Sequence, residues 1–313
     1  MEKAIFHILV FPGLLFLTVF GFAAEYFDRK LCARLQNRIG PPWFQPVADF
    51  IKLLSKEEIM PREADVTVLK LTPLFALAAC VTAILYIPIW DQRAIFYFNG
   101  DIIVVLYLLT IPTFAYFLGG WYSRSVYSMI GAVRTLTQLF AYEVPLFMCI
   151  LASALLADTW SISGMVTFYN HHLGYWFYNL LGFAVAIVCL LGKLDKVPFD
   201  IPEAETEIVA GSFTEFGGKL LALIRMTFDV ELVVVASLLA AVFLPFGLNF
   251  RPAIIFILYL IQVFFIIAVI TFLRSLFARL RLDQMIALCW KYLAPLAFVQ
   301  VLINLILKGI LPR

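Results

Sequence analysis

The chain has 313 residues, 63% of them hydrophobic and 14% charged, with a mean hydropathy of +0.96 and a formal net charge of +2. Repeated apolar runs near twenty residues in such a composition exclude a soluble globular fold and identify an all-α, polytopic membrane protein. The basic residues cluster between the apolar runs instead of forming one binding face, which excludes nucleic acid as a partner.

At about twenty residues per crossing, eight spans are expected, near 4–25, 68–90, 101–121, 129–157, 175–192, 220–246, 252–273 and 285–307. The first lacks a small-residue cleavage motif and reads as a retained helix, not a signal peptide. The segments joining spans 1–2, 3–4, 5–6 and 7–8 carry fourteen Lys and Arg residues. Five lie on the other side: Lys3, Arg93, Arg251, Lys308 and Arg313. The positive-inside rule therefore places those segments in the cytoplasm of a cell-membrane protein and both termini on the outer side. The chain is expected to be one integral domain, 1–313, with a docking face made by segments 26–67, 193–219 and 274–284.

The first cytoplasmic segment is too long for a turn. In WFQPVADFIKLLSKEE, Val47, Phe50, Ile51 and Leu54 share one helical face, which predicts an amphipathic interfacial helix. Before it, Arg29, Lys30, Arg34 and Arg38 form a basic stripe suited equally to anionic lipid headgroups and to a docked protein. Pro41 and Pro42 after Gly40 stop that helix.

Span 4 carries Arg134 and Glu143. At 1.5 Å per residue, Glu143 lies about 21 Å along from Met129, near mid-membrane. In AYEVP, Pro145 cannot donate to Ala141, which loosens the helix beside the acid. A carboxylate there is either neutral or shares a hydrated cavity with a partner, or else it is a packed, hydrogen-bonded group; the first two states suit a proton carrier. The following outer loop holds Asp158, His171 and His172, expected as surface groups.

The densest acidic stretch, KLDKVPFDIPEAETEIVAGSFTEFGGK from Lys193 to Lys219, contains Asp195, Asp200, Glu203, Glu205, Glu207 and Glu215. A short helix is expected from about Asp200 to Ala210, with Pro202 near its start and Gly211 at its end. Glu203 and Glu207 would then stand one turn apart and lift each other's affinity for protons, while Glu203 and Glu205 also complement the helix N-terminus. In span 6, Arg225 and Asp229 are expected to pair one turn apart, leaving Glu231 without a local cation and free to titrate. Arg274, Arg279, Arg281 and Asp283 precede span 8, which carries Lys291 about two turns in. Cys32, Cys80, Cys149, Cys189 and Cys289 show no C-x-x-C and no His at ligand spacing, so neither a metal nor an iron–sulfur site is expected in this chain.

Four segments together resemble one family, the subunit-1 type membrane protein of respiratory complex I and of the related membrane-bound nickel–iron hydrogenases. They are EYFDRKLCARLQNRIGPP with QPVADFIKLLSKEEIMP, GAVRTLTQLFAYEVP, VPFDIPEAETEIVAGSFTEF, and FARLRLDQMIALCWKYLAPLA. The resemblance implies eight spans and a row of proton-relay acids: Glu143, Asp200, Glu203, Glu205, Glu207, Glu215 and, in span 6, Asp229 or Glu231. Two departures stand out. Gly40-Pro41-Pro42 runs into Gln45-Pro46 without the longer loop of complex I members, and RMTFDVE replaces an AEY-like motif. The short loop is more similar to the hydrogenase branch.

The expected function is that of a membrane anchor and proton-coupling subunit of an energy-converting oxidoreductase, most simply a ferredoxin-dependent membrane-bound hydrogenase or close relative. It would hold no catalytic residue, metal or cofactor of its own. Arg29, Arg34, Arg38, Arg279, Arg281 and Asp283 would dock soluble partners carrying iron–sulfur clusters and a nickel–iron centre, and antiporter-like membrane subunits would lie alongside. The alternatives are a quinone-binding subunit of an NADH- or ferredoxin-linked oxidoreductase and, from another class, a stand-alone ion carrier. The carrier commonly shows internal repeats, which this sequence does not.

Overall fold

A computed structural model describes residues 2–91, 93–244 and 251–310, without the side chains of residues 2–4, Leu173, Glu205 and Ile310. Arg313, the side chain of Lys3, and residues 245–246 of the expected sixth span lie outside the described residues. Helix makes up 76% of the structure, and the described residues contain no strand. A backbone in lipid must satisfy its own hydrogen bonds, so apolar runs of this length fold as helices.

Eight helices are long and apolar enough to cross a membrane, matching the count from sequence. The first span is broken between α1 (Glu2–Leu9) and α2 (Leu14–Leu35). Pro12 lacks a backbone donor there, and a Cβ on Gly13 would fall 1.8 Å from the Ile8 carbonyl oxygen. Helix α2 then runs unbroken to Leu35 instead of ending near residue 25, so the basic stripe extends the first span beyond the membrane. Next comes α3 (Gln45–Leu54), the expected amphipathic helix, with Val47, Ile51 and Leu54 exposed and Phe50 packed on the core.

Asp65 caps α4 (Val66–Ile84) by accepting from the amides of Thr67 and Val68 at 3.0 and 3.3 Å. Then follow α5 (Asp101–Tyr122) and the 32-residue α6 (Val126–Ala157). Where an outer loop was expected, the chain forms α7 (Ile162–His171) and a 3-10 turn (Leu173–Asn179) before α8 (Leu180–Lys193). Asp101 fixes α7 by accepting from the Ile162 amide at 2.7 Å and the Ser161 hydroxyl at 3.1 Å.

Helix α10 (Gly218–Phe243) is the axis of the bundle: 89% of its apolar window is buried, against 28% for α11 (Pro252–Leu276). The last span comprises α12 (Leu282–Leu288), a π-turn at Cys289–Leu293 and α13 (Ala294–Ile310). Only 22% of its window is buried, and a polar clasp holds it. Gln300 and Asn304 both donate to the Asn179 carbonyl oxygen, and Asn304 also donates to Ala152 O.

The expected helix over 200–210 does not form. Ala204, Val209 and Gly211 have φ of 32°, 65° and 52°, which leaves only a four-residue helix, α9 (Glu205–Ile208). The rest is a compact plug with Phe199, Ile201, Ile208 and Phe213 buried in the bundle. It seats on α6 at Gly131, where a Cβ would stand 2.4 Å from the Ser212 amide nitrogen and 2.7 Å from Gly211 Cα. Because backbone cannot yield as a side-chain tip can, Gly131→Val is expected to cost about 1–3 kcal/mol. Gly174→Ala, which meets nothing within 4 Å, serves as the neutral control when thermal unfolding is followed in detergent.

Candidate functional site

The plug, together with α2, α3, α10 and the end of α11, encloses a cavity of about 810 Å³ at one end of the bundle. Of the candidate acids, Asp200, Glu203 and Asp229 line it, as do Asp195, Arg29 and Arg279. Glu207, Glu215, Glu143 and Glu231 do not, and the side chain of Glu205 lies outside the described residues.

Most of the charges at this end are tied across elements. Asp28, fully buried, receives Lys196 Nζ at 2.6 Å, Arg274 Nη1 at 2.9 Å and the Thr271 hydroxyl at 2.5 Å. One carboxylate thereby joins α2, the segment after α8, and α11. In the sequence, Asp28 sits inside a basic stripe and its cations lie some 168 and 246 residues away, so no local signal marks it. Arg29 Nε donates to Glu25 at 2.5 Å and Nη1 to Asp49 at 3.1 Å, binding α2 to α3. Arg34, Arg38, Arg281 and Asp283 remain exposed.

The plug's own acids find arginines instead of one another. Glu203 pairs with Arg225 at 3.0 Å, Asp200 with Arg279 at 3.1 Å, and Glu207 with Arg134 at 2.6 Å and Arg279 at 3.7 Å. Two expectations are corrected here. Arg225 reaches the plug and not Asp229, because a turn of helix places the guanidinium near the cavity mouth where Glu203 is closer. Glu203 and Glu207 do not form a repelling pair on one helical face, because the chain there is not helical. The hydrogen bond from Arg134, with the nearby charges of Arg134, Arg279 and Arg281, outweighs a small desolvation and holds Glu207 below the usual carboxylate range.

The acid that shifts upward is Asp195. Burial pushes its carboxyl well above the usual range; Glu203, Glu231 and Asp200 reinforce the shift and Lys193 opposes it. Gln138 Nε2 donates to it at 2.8 Å and to Gly192 O at 2.7 Å, so it is held at the boundary between cavity and bundle. Its φ of 49° turns the chain out of α8 at that point. Glu215 is half-buried before α10 and makes no ion pair with any described residue.

Deeper in, Glu231 is fully buried and meets Lys193 Nζ at 2.9 Å, a cation from the end of α8 that the sequence could not place beside it. Glu143 is half-buried on α6, next to a second, minute void of about 10 Å³ also lined by Lys193, Tyr142 and Thr110. His172, on the opposite side, stacks on Phe168 and Tyr175 at 5.0 and 5.2 Å. The five cysteines are free, and the described residues contain no group of His, Cys, Asp and Glu that could hold a metal ion.

Removing one partner of a buried pair strands the other, whereas replacing both by neutral groups of similar shape does not. Lys193→Met is therefore expected to lower stability by about 3–5 kcal/mol, and adding Glu231→Gln to restore most of it. Thermal denaturation of the assembled complex reads both variants.

Comparison with known proteins gives a consistent picture. The profile described as NADH dehydrogenase matches residues 7–305. A membrane-complex component named for NADH-quinone oxidoreductase, from Dehalococcoides mccartyi (strain CBDB1), is 33% identical over 308 residues, covering 95% of this chain and 86% of the relative. Its namesake from Bacillus thuringiensis (strain Al Hakam) is 31% identical, covering 96% and 92%. Among solved structures, a chain of the membrane-bound sulfane sulfur reductase, an archaeal respiratory membrane complex, superposes with a TM-score of 0.83 at 27% identity, over 93% of this chain and 96% of that one.

Proposed function

As the chain belongs to the NADH dehydrogenase family of membrane subunits, we propose that it couples a redox reaction on docked soluble subunits to ion movement through neighbouring membrane subunits. It is a multi-pass membrane subunit of a respiratory complex resembling NADH-quinone oxidoreductase. The observation that carries the coupling role is the placement of Asp195. This buried carboxyl borders the large cavity on one side and the Glu231 region on the other.

In this reading segments 26–67, 193–219 and 274–284 face the cytoplasm, with the termini outside, and receive the soluble partners on Arg34, Arg38, Arg281 and Asp283. Iron–sulfur clusters, and a nickel–iron centre where present, belong to those partners. Arg29 and Arg279 hold the platform's shape through their ion pairs. A charge change above the cavity is felt by Glu207, Asp200 and Glu203 at its rim, with Glu205 and Glu215 in the same segment, and passes by way of Asp195 and Asp229 to Glu231 and Glu143. Glu143 lies on a face of α6 that also exposes Phe140 and Val144, and an antiporter-like subunit would cover it.

The branch we favour is the hydrogenase and sulfur-reductase one, with a ferredoxin as electron donor. Two features support it: the short Gly40–Pro46 connection, and a chain length that spans 96% of the sulfane sulfur reductase chain but 86% of the D. mccartyi relative. The quinone-binding reading has its own support in the names of the curated relatives. Turnover that depends on added quinone would select it.

With the purified complex reconstituted in liposomes, Glu143→Gln and Glu207→Gln are expected to cut the ions moved per electron by roughly an order of magnitude, the scale of losing a proton-transfer group, while the complex still assembles. Full translocation in both variants would overturn the relay. Asp195 makes a spectroscopic prediction as well: a carboxyl held above the usual range keeps its proton at neutral pH. Asp195→Asn should therefore remove a protonated-carboxyl band from the infrared spectrum at pH 7.

A further inference from the structure

The buried lysine at the end of α8 has no counterpart in the relay just described, yet it touches both of that relay's inner acids. Lys193 Nζ donates to Leu109 O at 2.5 Å and meets Glu231 Oε1 at 2.9 Å. On its other side is the 10 Å³ void whose wall includes Glu143 and Tyr142. A void of that size is about one water molecule.

The pair with Glu231 is a lean one. Neither Glu231 oxygen has a hydrogen bond beyond the Lys193 contact among the described residues. A buried ion pair offsets its desolvation only when further hydrogen bonds complete both partners, and here the carboxylate lacks them. Lysine is also suited to movement, being a compact charge on a flexible four-carbon stem.

We propose that Lys193 is a mobile cation that alternates between Glu231 and Glu143 across the one-water void and sets which of them carries the proton. This rests on the relay reading above and deepens it. In one state Lys193 pairs with ionised Glu231 and the proton is on Glu143. When Glu231 takes a proton from the Asp195 side, the ammonium loses its counter-charge there and turns to Glu143, whose proton leaves toward the neighbouring subunit. The proton on Glu231 then crosses by way of the water to Glu143, and Lys193 returns to Glu231. One proton enters and one leaves per cycle, and Lys193 stays charged throughout.

The experiment uses the whole complex in liposomes with ions counted per electron. The neutral, stability-restored double variant Lys193→Met with Glu231→Gln is expected to assemble and to lose at least nine-tenths of its translocation, on the scale of removing a proton-transfer group. Lys193→Arg should keep the ion pair and the thermal stability and yet not restore translocation, because a guanidinium exceeds a one-water void. Translocation near the native ratio in either variant overturns the proposal. The two readings separate at Glu143→Gln. If that variant pumps fully, the relay itself fails; if it is blocked while the Lys193 variants pump, only the mobile lysine fails.

Discussion

Charge in a low-dielectric bundle must be compensated where it sits, and in this chain that requirement decides the fold of the functional end. An uncompensated carboxylate inside protein or lipid costs several kcal/mol. Asp28 answers this with two cations and a hydroxyl drawn from sequence positions far apart. Because those groups come from α2, the segment after α8, and α11, satisfying one carboxylate fixes three elements relative to each other. The plug that follows has little regular structure of its own, and its position is then set by apolar burial of Phe199, Ile201 and Phe213 and by arginines at its rim.

The acids consequently divide by partner. Asp28, Asp200, Glu203 and Glu207 each have a cation within 3.1 Å and act as clamps. Asp195 and Asp229 have no ion pair among the described residues, and both line the cavity. Clamped carboxylates stay ionised across the physiological range and supply a steady field. Groups without a counter-ion are the ones whose protonation can follow an event above the cavity. The clustering of acids in PFDIPEAETE therefore has two roles, and proximity in sequence does not tell them apart.

Much of the architecture was legible from hydropathy, because a span announces itself in its own twenty residues. The eight spans, the amphipathic helix at Val47–Leu54 and the mid-membrane placement of Glu143 all came from local pattern. What could not be read was pairing at long range. Lys193 looked like a loop cation and is buried against Glu231; Arg225 looked like the partner of Asp229 and reaches Glu203. Helical spacing predicts neighbours within one element, but a buried charge selects whichever partner the bundle brings near. The failed helix over 200–210 has a similar origin. Tertiary burial of alternate apolar side chains and the left-handed residues Ala204 and Val209 outweighed a local pattern of start and stop signals.

The central position of α10 explains why this division can transmit anything. The helix carries Asp229 at the cavity wall and Glu231 two residues on, which a 3.6-residue turn directs to different sides. One rigid, nearly fully buried element thus presents one acid to the docking side and another to the bundle interior. Gly21 of α2 lies against it with a Cβ position 3.2 Å from the Asp229 backbone, so the helix has no room to shift sideways there. A change in protonation at Asp229 or Asp195 therefore cannot be absorbed by sliding α10; it has to be met by side chains. Among those that face both ends of the path, the least constrained is the four-carbon stem of Lys193, beside the void that separates it from Glu143.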